Sequence, residues 1–169
     1  MTTLAFRRIA LEDARSFAAL RNADDTWNWF FSKRRFTEGE VARWIASLDS
    51  ATDEVYMVDR GGETVGTCSL YGIDRSKKSA EVGRIIVAPA FRRMGTGEIM
   101  LREMIGRGLS LGLDLLYANI MRENDCLLYT SDAADDLLCV DFGGRRIIKK
   151  KKYHQLSQSH TPILIIRSI

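Results

Sequence analysis

The segment IIVAPAFRRMGTGEIM, residues 85–100, limits the possible folds more than any other part of the sequence. It begins with β-branched apolar residues, which are typical of a buried strand. Pro89 ends that strand, because proline cannot donate a hydrogen bond to a neighbouring strand. Gly95 and Gly97 follow, directly before a segment with helical periodicity. A glycine loop that leads from a strand into a helix exposes backbone N–H groups at the positive end of the helix. The segment therefore predicts a site for a phosphate group.

The residues of this segment exclude two common nucleotide-binding loops. A Walker loop requires lysine after its last glycine, whereas Glu98 follows Gly97 here. A Rossmann loop of the form G-x-G-x-x-G requires glycine at the position of Met100. Arg92 and Arg93 add positive charge beside the glycines, which suits a phosphate ligand held by a different kind of loop.

The sequence before this segment alternates between strand and helix signals. A strand is predicted over residues 4–9 and a helix over residues 12–22, from the spacing of their apolar side chains. Thr37 and Glu40 match a capping box, which predicts that a second helix begins there and runs to about Ser50.

Three strands, a helix and a last strand follow. Two strands within residues 53–73 meet at a glycine turn, residues 60–63, and a third strand covers about residues 79–88. A helix runs to about Leu109, and the strand over residues 113–121 should lie parallel to the third strand because a crossover helix joins them. The order β-α-α-β-β-β-α-β predicts an α/β (α+β) fold with a mixed, mostly antiparallel sheet and helices on both faces.

Charge divides the chain into two parts. Residues 1–125 hold 18 of the 25 Lys and Arg and 18 of the 22 Asp and Glu, so the net charge of +3 belongs to residues 126–169. A neutral first part argues against nucleic-acid binding. The sequence has no apolar run of membrane-spanning length, no signal-peptide layout and no cysteine spacing suited to a metal. We expect a cytoplasmic protein without nucleic-acid, membrane or metal partners.

The pattern Arg-x-x-Gly-x-Gly after a strand that ends in Val-x-Pro resembles the pyrophosphate loop of the GCN5-related N-acetyltransferase (GNAT) family. The segments AEVGRIIVAP, LGLDLLYANIMREND and LRNADDTWNWF extend the resemblance over about residues 4–125, toward the ribosomal-protein and amino-sugar acetyltransferase branches. The resemblance implies acetyl-CoA as the cofactor, with a pantetheine arm that pairs with the strand edge. The implied contacts are Ile85, Ile86 and Val87 on the strand, Arg92, Arg93, Met94, Gly95, Thr96 and Gly97 in the loop, and Asn124.

Acetyl transfer to an amine requires a base that takes the ammonium proton. Glu81 lies on the third strand, where alternation predicts one common face for Glu81, Gly83, Ile85 and Val87. We identify Glu81 as the catalytic base, because the resemblance implies an acid on this strand in that role. The alternative is an exposed strand carboxylate that pairs with Arg84 or Lys78.

The aromatic and basic connector TWNWFFSKRRF predicts the acceptor side of the pocket, with Trp27, Phe30 and Phe31 as apolar walls. Alternatively, these rings pack the first two helices together. The acceptor amine stays open among a small molecule, an amino sugar and a protein N-terminus. The predicted function is acetyl-CoA-dependent N-acetyl transfer by direct attack, and a non-catalytic acyl-CoA-binding module is the alternative.

The family pattern breaks after Asn124. The tyrosine expected seven residues later falls on Ser131, and Tyr129 lies about 200° away from it around a helix. Neither residue is therefore assigned as the acid that protonates the leaving thiolate.

The sequence from residue 126 to residue 152 resembles a translated sequencing adapter at the end of a metagenomic reading frame. We therefore expect a truncated acetyltransferase domain over residues 1–125, without its last helix and closing strands and with impaired activity. Residues 126–169 are expected to be a non-native tail, in which the apolar segment PILII is recruited as a strand.

Overall fold

A computed structural model describes residues 3–23, 26–27, 30, 32–121 and 160–167. These residues form six strands and three helices, together with short helical turns at Leu11–Asp13 and Pro89–Phe91. The strands are β1 (Leu4–Arg8), β2 (Asp53–Arg60), β3 (Glu63–Asp74), β4 (Ser79–Val87), β5 (Leu115–Met121) and β6 (His160–Arg167), and the helices are α1 (Ala14–Asn22), α2 (Glu38–Ala46) and α3 (Thr96–Ser110).

The strands form one sheet in the order β1-β2-β3-β4-β5-β6. Neighbouring strands are antiparallel except β4 and β5, which are parallel as predicted from the crossover helix α3 between them. Helices cover both faces of the sheet. The predicted mixed, mostly antiparallel α/β fold is therefore confirmed. Within the part of the chain that the structure describes, no helix has the length and apolar character to cross a membrane.

Each face of the sheet has its own hydrophobic cluster. On the α3 face, the helix packs on strand residues such as Leu70 and Val82, and on the other face α1 and α2 pack on Val55 and Met57. Burial of one such apolar side chain stabilises the fold by about 1.5–3 kcal/mol. The helix residues that are buried at these contacts include Met100, Leu101, Met104 and Ile105 of α3, Phe17 of α1, and Val41 and Ile45 of α2.

Local sequence signals set most element boundaries. Gly61 and Gly62 take φ values of 61° and 87° at the predicted β2–β3 turn, as a two-residue type I′ turn requires. The predicted capping box starts α2, but the helix ends at Ala46, earlier than its apolar spacing predicted. The Ser47 hydroxyl donates to the Trp44 carbonyl at 2.7 Å, and such local hydrogen bonds compete with continuation of a helix.

The strand β6 pairs antiparallel with the outer edge of β5. It contains PILII, so the prediction that this segment is recruited as a strand is confirmed. Residues 122–159 lie outside the described residues. The predicted absence of the family's last helix and closing strands, and the places of Asn124 and Ser131, therefore stay predictions.

Candidate active site

The strands β4 and β5 lie side by side only where they begin. Their register runs from Ser79 opposite Leu115 to Glu81 opposite Tyr117, and β4 then continues while pairing with β3 alone among the described strands. The diverging strands leave one edge of β4 open, and residues 85–87 lie on it. An open edge presents backbone N–H and C=O groups that can receive an extended ligand as an added strand. This geometry fits a pantetheine arm.

The glycine loop places the start of α3 beside the open edge of β4. Arg93 and Gly95 have left-handed backbone conformations with φ of 60° and 76°, and Gly95 is the N-cap of α3 without a capping side chain. The Thr96 hydroxyl donates to the Phe91 carbonyl at 3.0 Å, which ties the loop together. The first N–H groups of a helix have no intrahelical acceptor, and the helix dipole favours an anion there. The loop therefore fits a pyrophosphate group.

Arg92 faces the protein rather than the outside of the loop. Its Nε donates to the Val87 carbonyl at 2.9 Å, and its guanidinium also donates to the Thr26 hydroxyl at 2.8 Å. These bonds join the end of β4 to the connector between α1 and α2. The arginine of the Arg-x-x-Gly-x-Gly pattern thus holds the loop in position, and its predicted contact with the cofactor stays a prediction.

A β-bulge in β4 changes the side-chain alternation that the sequence predicted. The register with β3 shifts between Gly83 and Ile86, and Arg84 has a φ of 51°. After the bulge, Ile85 and Val87 pack with the α3 face, whereas Glu81 lies opposite Tyr71 on the other face. The prediction of one common face for Glu81, Gly83, Ile85 and Val87 is therefore wrong. The extra residue of the bulge reverses the alternation beyond it.

Glu81 is held between two tyrosines on the face covered by α1 and α2. Tyr71 of β3 and Tyr117 of β5 are its register partners, and the Tyr71 hydroxyl donates to the Glu81 carboxylate at 2.5 Å. Burial raises the pKa of Tyr71 above its ordinary value, and the hydrogen bond to Glu81 raises it further. Burial and the Glu81 charge also raise the pKa of Tyr117. Both phenols thus stay protonated near neutral pH, and Tyr71 fixes the orientation of the carboxylate.

The glycine at position 83 makes this arrangement possible. A Cβ there would lie 2.9 Å from the Tyr71 hydroxyl oxygen and 2.9 Å from a ring carbon of the same residue. Such a contact is too short for carbon atoms, so any larger residue would push the Tyr71 ring away from Glu81. The sequence reasoning missed Tyr71, although its place in a strand adjacent to β4 was predictable.

The bulge also brings Arg84 to the same face as Glu81. Its guanidinium lies 4.1 Å from the ring centre of Tyr71 and 5.3 Å from that of Trp44 of α2. Asp53 of β2 is 3.6 Å from the Arg84 Nη1 atom. From the sequence, Arg84 was expected only as a possible ion-pair partner of Glu81, and no role in the site was predicted for Trp44 or Asp53. Regular alternation would place residue 84 on the opposite face from Glu81.

The predicted aromatic walls are only partly described. Phe30 packs with the α1 and α2 cluster and lies 3.7 Å from the Arg21 guanidinium, so it contributes to helix packing as the alternative interpretation proposed. Trp27 lies in a turn, and its own backbone N–H donates to the Ala23 carbonyl at 3.2 Å. Phe31 lies outside the described residues. A role for these three aromatic residues in acceptor binding stays a prediction.

A separate groove of about 420 Å³ lies on the α3 face, between the edge of the sheet and the end of α3. Tyr56 lines this groove with Arg8 and Arg107, whose guanidinium groups both lie over its ring, and its hydroxyl donates to Glu54 at 2.7 Å. This groove is on the opposite face of the sheet from Glu81. Cys68 lies in the core of that face, fully buried, and burial raises its pKa to about 12, which makes it unsuited to act as a nucleophile.

Comparison with known proteins agrees with the geometry. The family model described as Acetyltransferase (GNAT) domain matches residues 3–126. This chain belongs to the GNAT acetyltransferase family, and it is an N-acetyltransferase that uses acetyl-CoA as cosubstrate by that membership. No curated protein sequence matches the chain.

Solved structures share the fold at low sequence identity. The spermidine N-acetyltransferase from Vibrio cholerae in complex with CoA and spermine superposes with a TM-score of 0.71 at 19% identity, over 78% of this chain and 79% of that chain. An N-acetyltransferase from Staphylococcus aureus Mu50 gives 0.68 at 16% identity, over 79% and 83%. A domain from Methanocaldococcus jannaschii DSM 2661 gives 0.68 at 14% identity, over 82% and 88%.

Replacement of Gly95 by alanine tests the glycine loop. The left-handed conformation of Gly95 costs an L-residue about 1–2 kcal/mol, so the loop of the unliganded variant should relax out of this conformation. Restoring it on binding should raise the dissociation constant for CoA by about 5–30-fold. Isothermal titration calorimetry measures this change. Gly106→Ala is the matched control, because it makes the same chemical change in the middle of α3, where an added Cβ meets no atom within 4 Å. Equal CoA affinities of the two variants would contradict the assignment of the loop.

Proposed function

We propose that this protein transfers the acetyl group of acetyl-CoA to the primary amine of a small acceptor, with Glu81 as the catalytic base. One observation carries the proposal: Glu81 is held by Tyr71 at the point where β4 separates from β5, next to the open strand edge and on the same strand as it. A base at that opening can reach an amine that approaches from the α1 and α2 face.

Acetyl-CoA, when bound, supplies a thioester carbonyl to the amine. The residues of this chain bind and orient the two reactants. The backbone of residues 93–97 would hold the pyrophosphate, and the open edge at residues 85–87 would pair with the pantetheine arm. Glu81 accepts the ammonium proton, and the donated hydrogen bond from Tyr71 keeps the carboxylate oriented for that transfer.

The acceptor belongs to one of several classes of amine. The Vibrio cholerae structure, which shares the fold, holds spermine, and this supports a small-molecule amine over an amino sugar or a protein N-terminus. Trp27, Phe30 and Phe31 are proposed to border the acceptor, and Asn124 to contact the cofactor arm. We keep the cytoplasm as the proposed location.

The family match ends at residue 126, which supports a division of the chain near residue 125. We propose that residues 126–169 take no part in cofactor binding and are not part of the evolved domain. Because Ser131 stands where the family pattern has the tyrosine expected to protonate the leaving thiolate, we also propose that turnover of this chain is impaired relative to a complete domain.

A direct assay tests the proposed function. The purified chain is incubated with acetyl-CoA and a panel of amines that includes spermidine, amino sugars, amino acids and peptides with free N-termini, and thiol release and product mass are measured. We expect at least one amine to be acetylated faster with the protein than in the same mixture of amine and acetyl-CoA without it. Tight CoA binding without acetylation of any amine would favour the non-catalytic module, and absence of CoA binding would overturn both assignments.

A further inference from the structure

We propose that Arg84 binds a carboxylate on the acceptor, so that the preferred acceptor is a small amine that also carries a carboxylate. This inference rests on the acetyl transfer proposed above and specifies its substrate class. It starts from the backbone of β4, where Arg84 has a left-handed conformation with a φ of 51°. Arginine rarely adopts such a conformation, and residues held in it concentrate at binding and catalytic sites.

The bulge determines which way Arg84 faces. Without it, residue 84 would share a face with Val82, which packs with α3. The observed conformation instead puts the Arg84 side chain near Asp53, Tyr71 and Trp44, on the face that holds Glu81. The strained residue and the catalytic base therefore lie on the same side of the sheet, three positions apart on one strand.

Two aromatic rings orient the guanidinium, but its N–H groups are weakly engaged. The ring centres of Tyr71 and Trp44 lie 4.1 Å and 5.3 Å from the Arg84 Cζ atom. The Ser69 hydroxyl is 3.5 Å from Nη1 and the Asp53 carboxylate is 3.6 Å from it, both long for a charge-assisted hydrogen bond. A guanidinium that lies over aromatic rings and makes only long polar contacts keeps N–H groups available for a carboxylate, which it can bind through two parallel hydrogen bonds.

Tyr71 sets the distance between the two charged groups. Glu81 accepts a hydrogen bond from its hydroxyl, while Arg84 lies over its ring. An acceptor would thus meet a negative group and a positive group separated by roughly the length of one tyrosine side chain. An ammonium group and a carboxylate on a short carbon skeleton match both the signs and the spacing of this pair.

The same geometry disfavours a polyamine. A second ammonium group on the acceptor would come near the Arg84 guanidinium, and like charges at close range lower affinity. Asp53 compensates only part of this charge, because its carboxylate is 3.6 Å from the Arg84 Nη1 atom, long for a charge-assisted hydrogen bond. We therefore expect spermidine to be a poorer acceptor than a monoamine with a carboxylate.

Matched acceptor pairs test the proposal. Glycine, β-alanine and 4-aminobutyrate are each compared with the corresponding amide, which keeps the amine and the size but removes the negative charge. For the best skeleton, we expect kcat/KM to favour the carboxylate by about 10–100-fold, the range for a hydrogen bond to a charged group. Arg84→Gln should abolish this preference, and Arg84→Lys, which keeps the charge without the planar fork, should retain part of it.

Arg60→Gln is the charge-matched control. Arg60 is at the opposite end of β2 from Asp53, about 23 Å away along the strand, so the variant loses the same charge at a distance from the site. It should keep the wild-type preference for carboxylates. An equal loss in both variants would assign the effect to net charge and overturn the role of Arg84.

The outcomes separate this inference from the proposed function. If amines are acetylated but the carboxylate preference is absent, or is unchanged in Arg84→Gln, the inference is overturned and acetyl transfer stands. If no amine is acetylated, ligand-observed NMR of the same acid and amide pairs with the CoA-loaded protein measures the preference without turnover. Equal binding of acid and amide there would overturn the carboxylate site.

Discussion

The Glu81→Gln variant should lose acetyl transfer while it keeps its cofactor. We expect kcat to fall about 10²–10⁴-fold, the usual contribution of general base catalysis, because glutamine cannot take the ammonium proton. The dissociation constant for CoA should stay within about twofold of wild type, since the glycine loop lies at the other end of β4, where Arg92 and Thr96 donate to the Val87 and Phe91 carbonyls. Steady-state kinetics and calorimetry measure the two quantities separately.

The dependence of this loss on pH identifies the step. An alkyl ammonium group has a pKa near 10, so the fraction of neutral amine rises with pH and the need for a base falls. The ratio of wild-type to variant rates should therefore shrink between about pH 7 and pH 10. Glu63→Gln, at the exposed start of β3, is the control and should leave the rate unchanged. A constant ratio at all pH values would argue that Glu81 only positions the acceptor.

The Gly66→Ala variant should be strongly destabilised. A Cβ at this position would lie 2.2 Å from the Ile86 carbonyl oxygen and 2.6 Å from the Met100 methyl carbon. The methionine can move, but the carbonyl belongs to the backbone of β4, so β3 and β4 would have to separate. Overpacking of this kind costs about 3 kcal/mol in the free energy of unfolding, which corresponds to a fall of roughly 10 °C in Tm.

Gly39→Ala provides the comparison for this substitution. Gly39 lies in the first turn of α2, and an added Cβ there would meet only the Arg43 side chain at 3.8 Å, an ordinary contact. Alanine should stabilise the helix by about 0.5–1 kcal/mol, because glycine loses more conformational freedom on folding. Thermal unfolding followed by circular dichroism measures both variants. A stable Gly66→Ala protein would show that β3 and β4 tolerate a wider separation beside the cofactor edge.

Gly66 also links stability to function. It pairs with Val87 in the register of β3 and β4, next to the strand edge that is open toward the cofactor. A shift of β4 that relieves the clash would move this edge, so we expect weaker CoA binding together with the lower Tm. The core of the α3 face thus fixes the position of the cofactor edge as well as the stability of the sheet.

Much of the candidate site was predictable because it depends on local chemistry. Pro89 ends β4, Gly95 supplies a left-handed N-cap, and α3 starts where the glycine pattern placed it. Each of these features follows from the backbone preferences of one or two residues. The parallel pairing of β4 with β5 was also predictable, since a crossover helix leaves few other arrangements.

The polar environment of Glu81 was not predictable in the same way. Tyr71 is ten residues away in the chain, and Trp44 is further still, so only the register of β3 with β4 and the packing of α2 bring them together. The side of the sheet that Arg84 faces depends on the bulge in β4. The sequence of this strand does not reveal the bulge, because it also fits regular alternation without an extra residue. The error in the predicted strand face came from this single residue.

The sequence by itself determined the order of the elements, the ends of the strands and helices, and the glycine loop, because these depend on the conformational preferences of neighbouring residues. The tertiary structure decided where β4 leaves β5 and which side chains surround Glu81. It also decided that Arg84 faces the base rather than α3. Those outcomes depend on strand pairing and side-chain packing between segments distant in the chain. These contacts form only when the sheet and both helical layers assemble together.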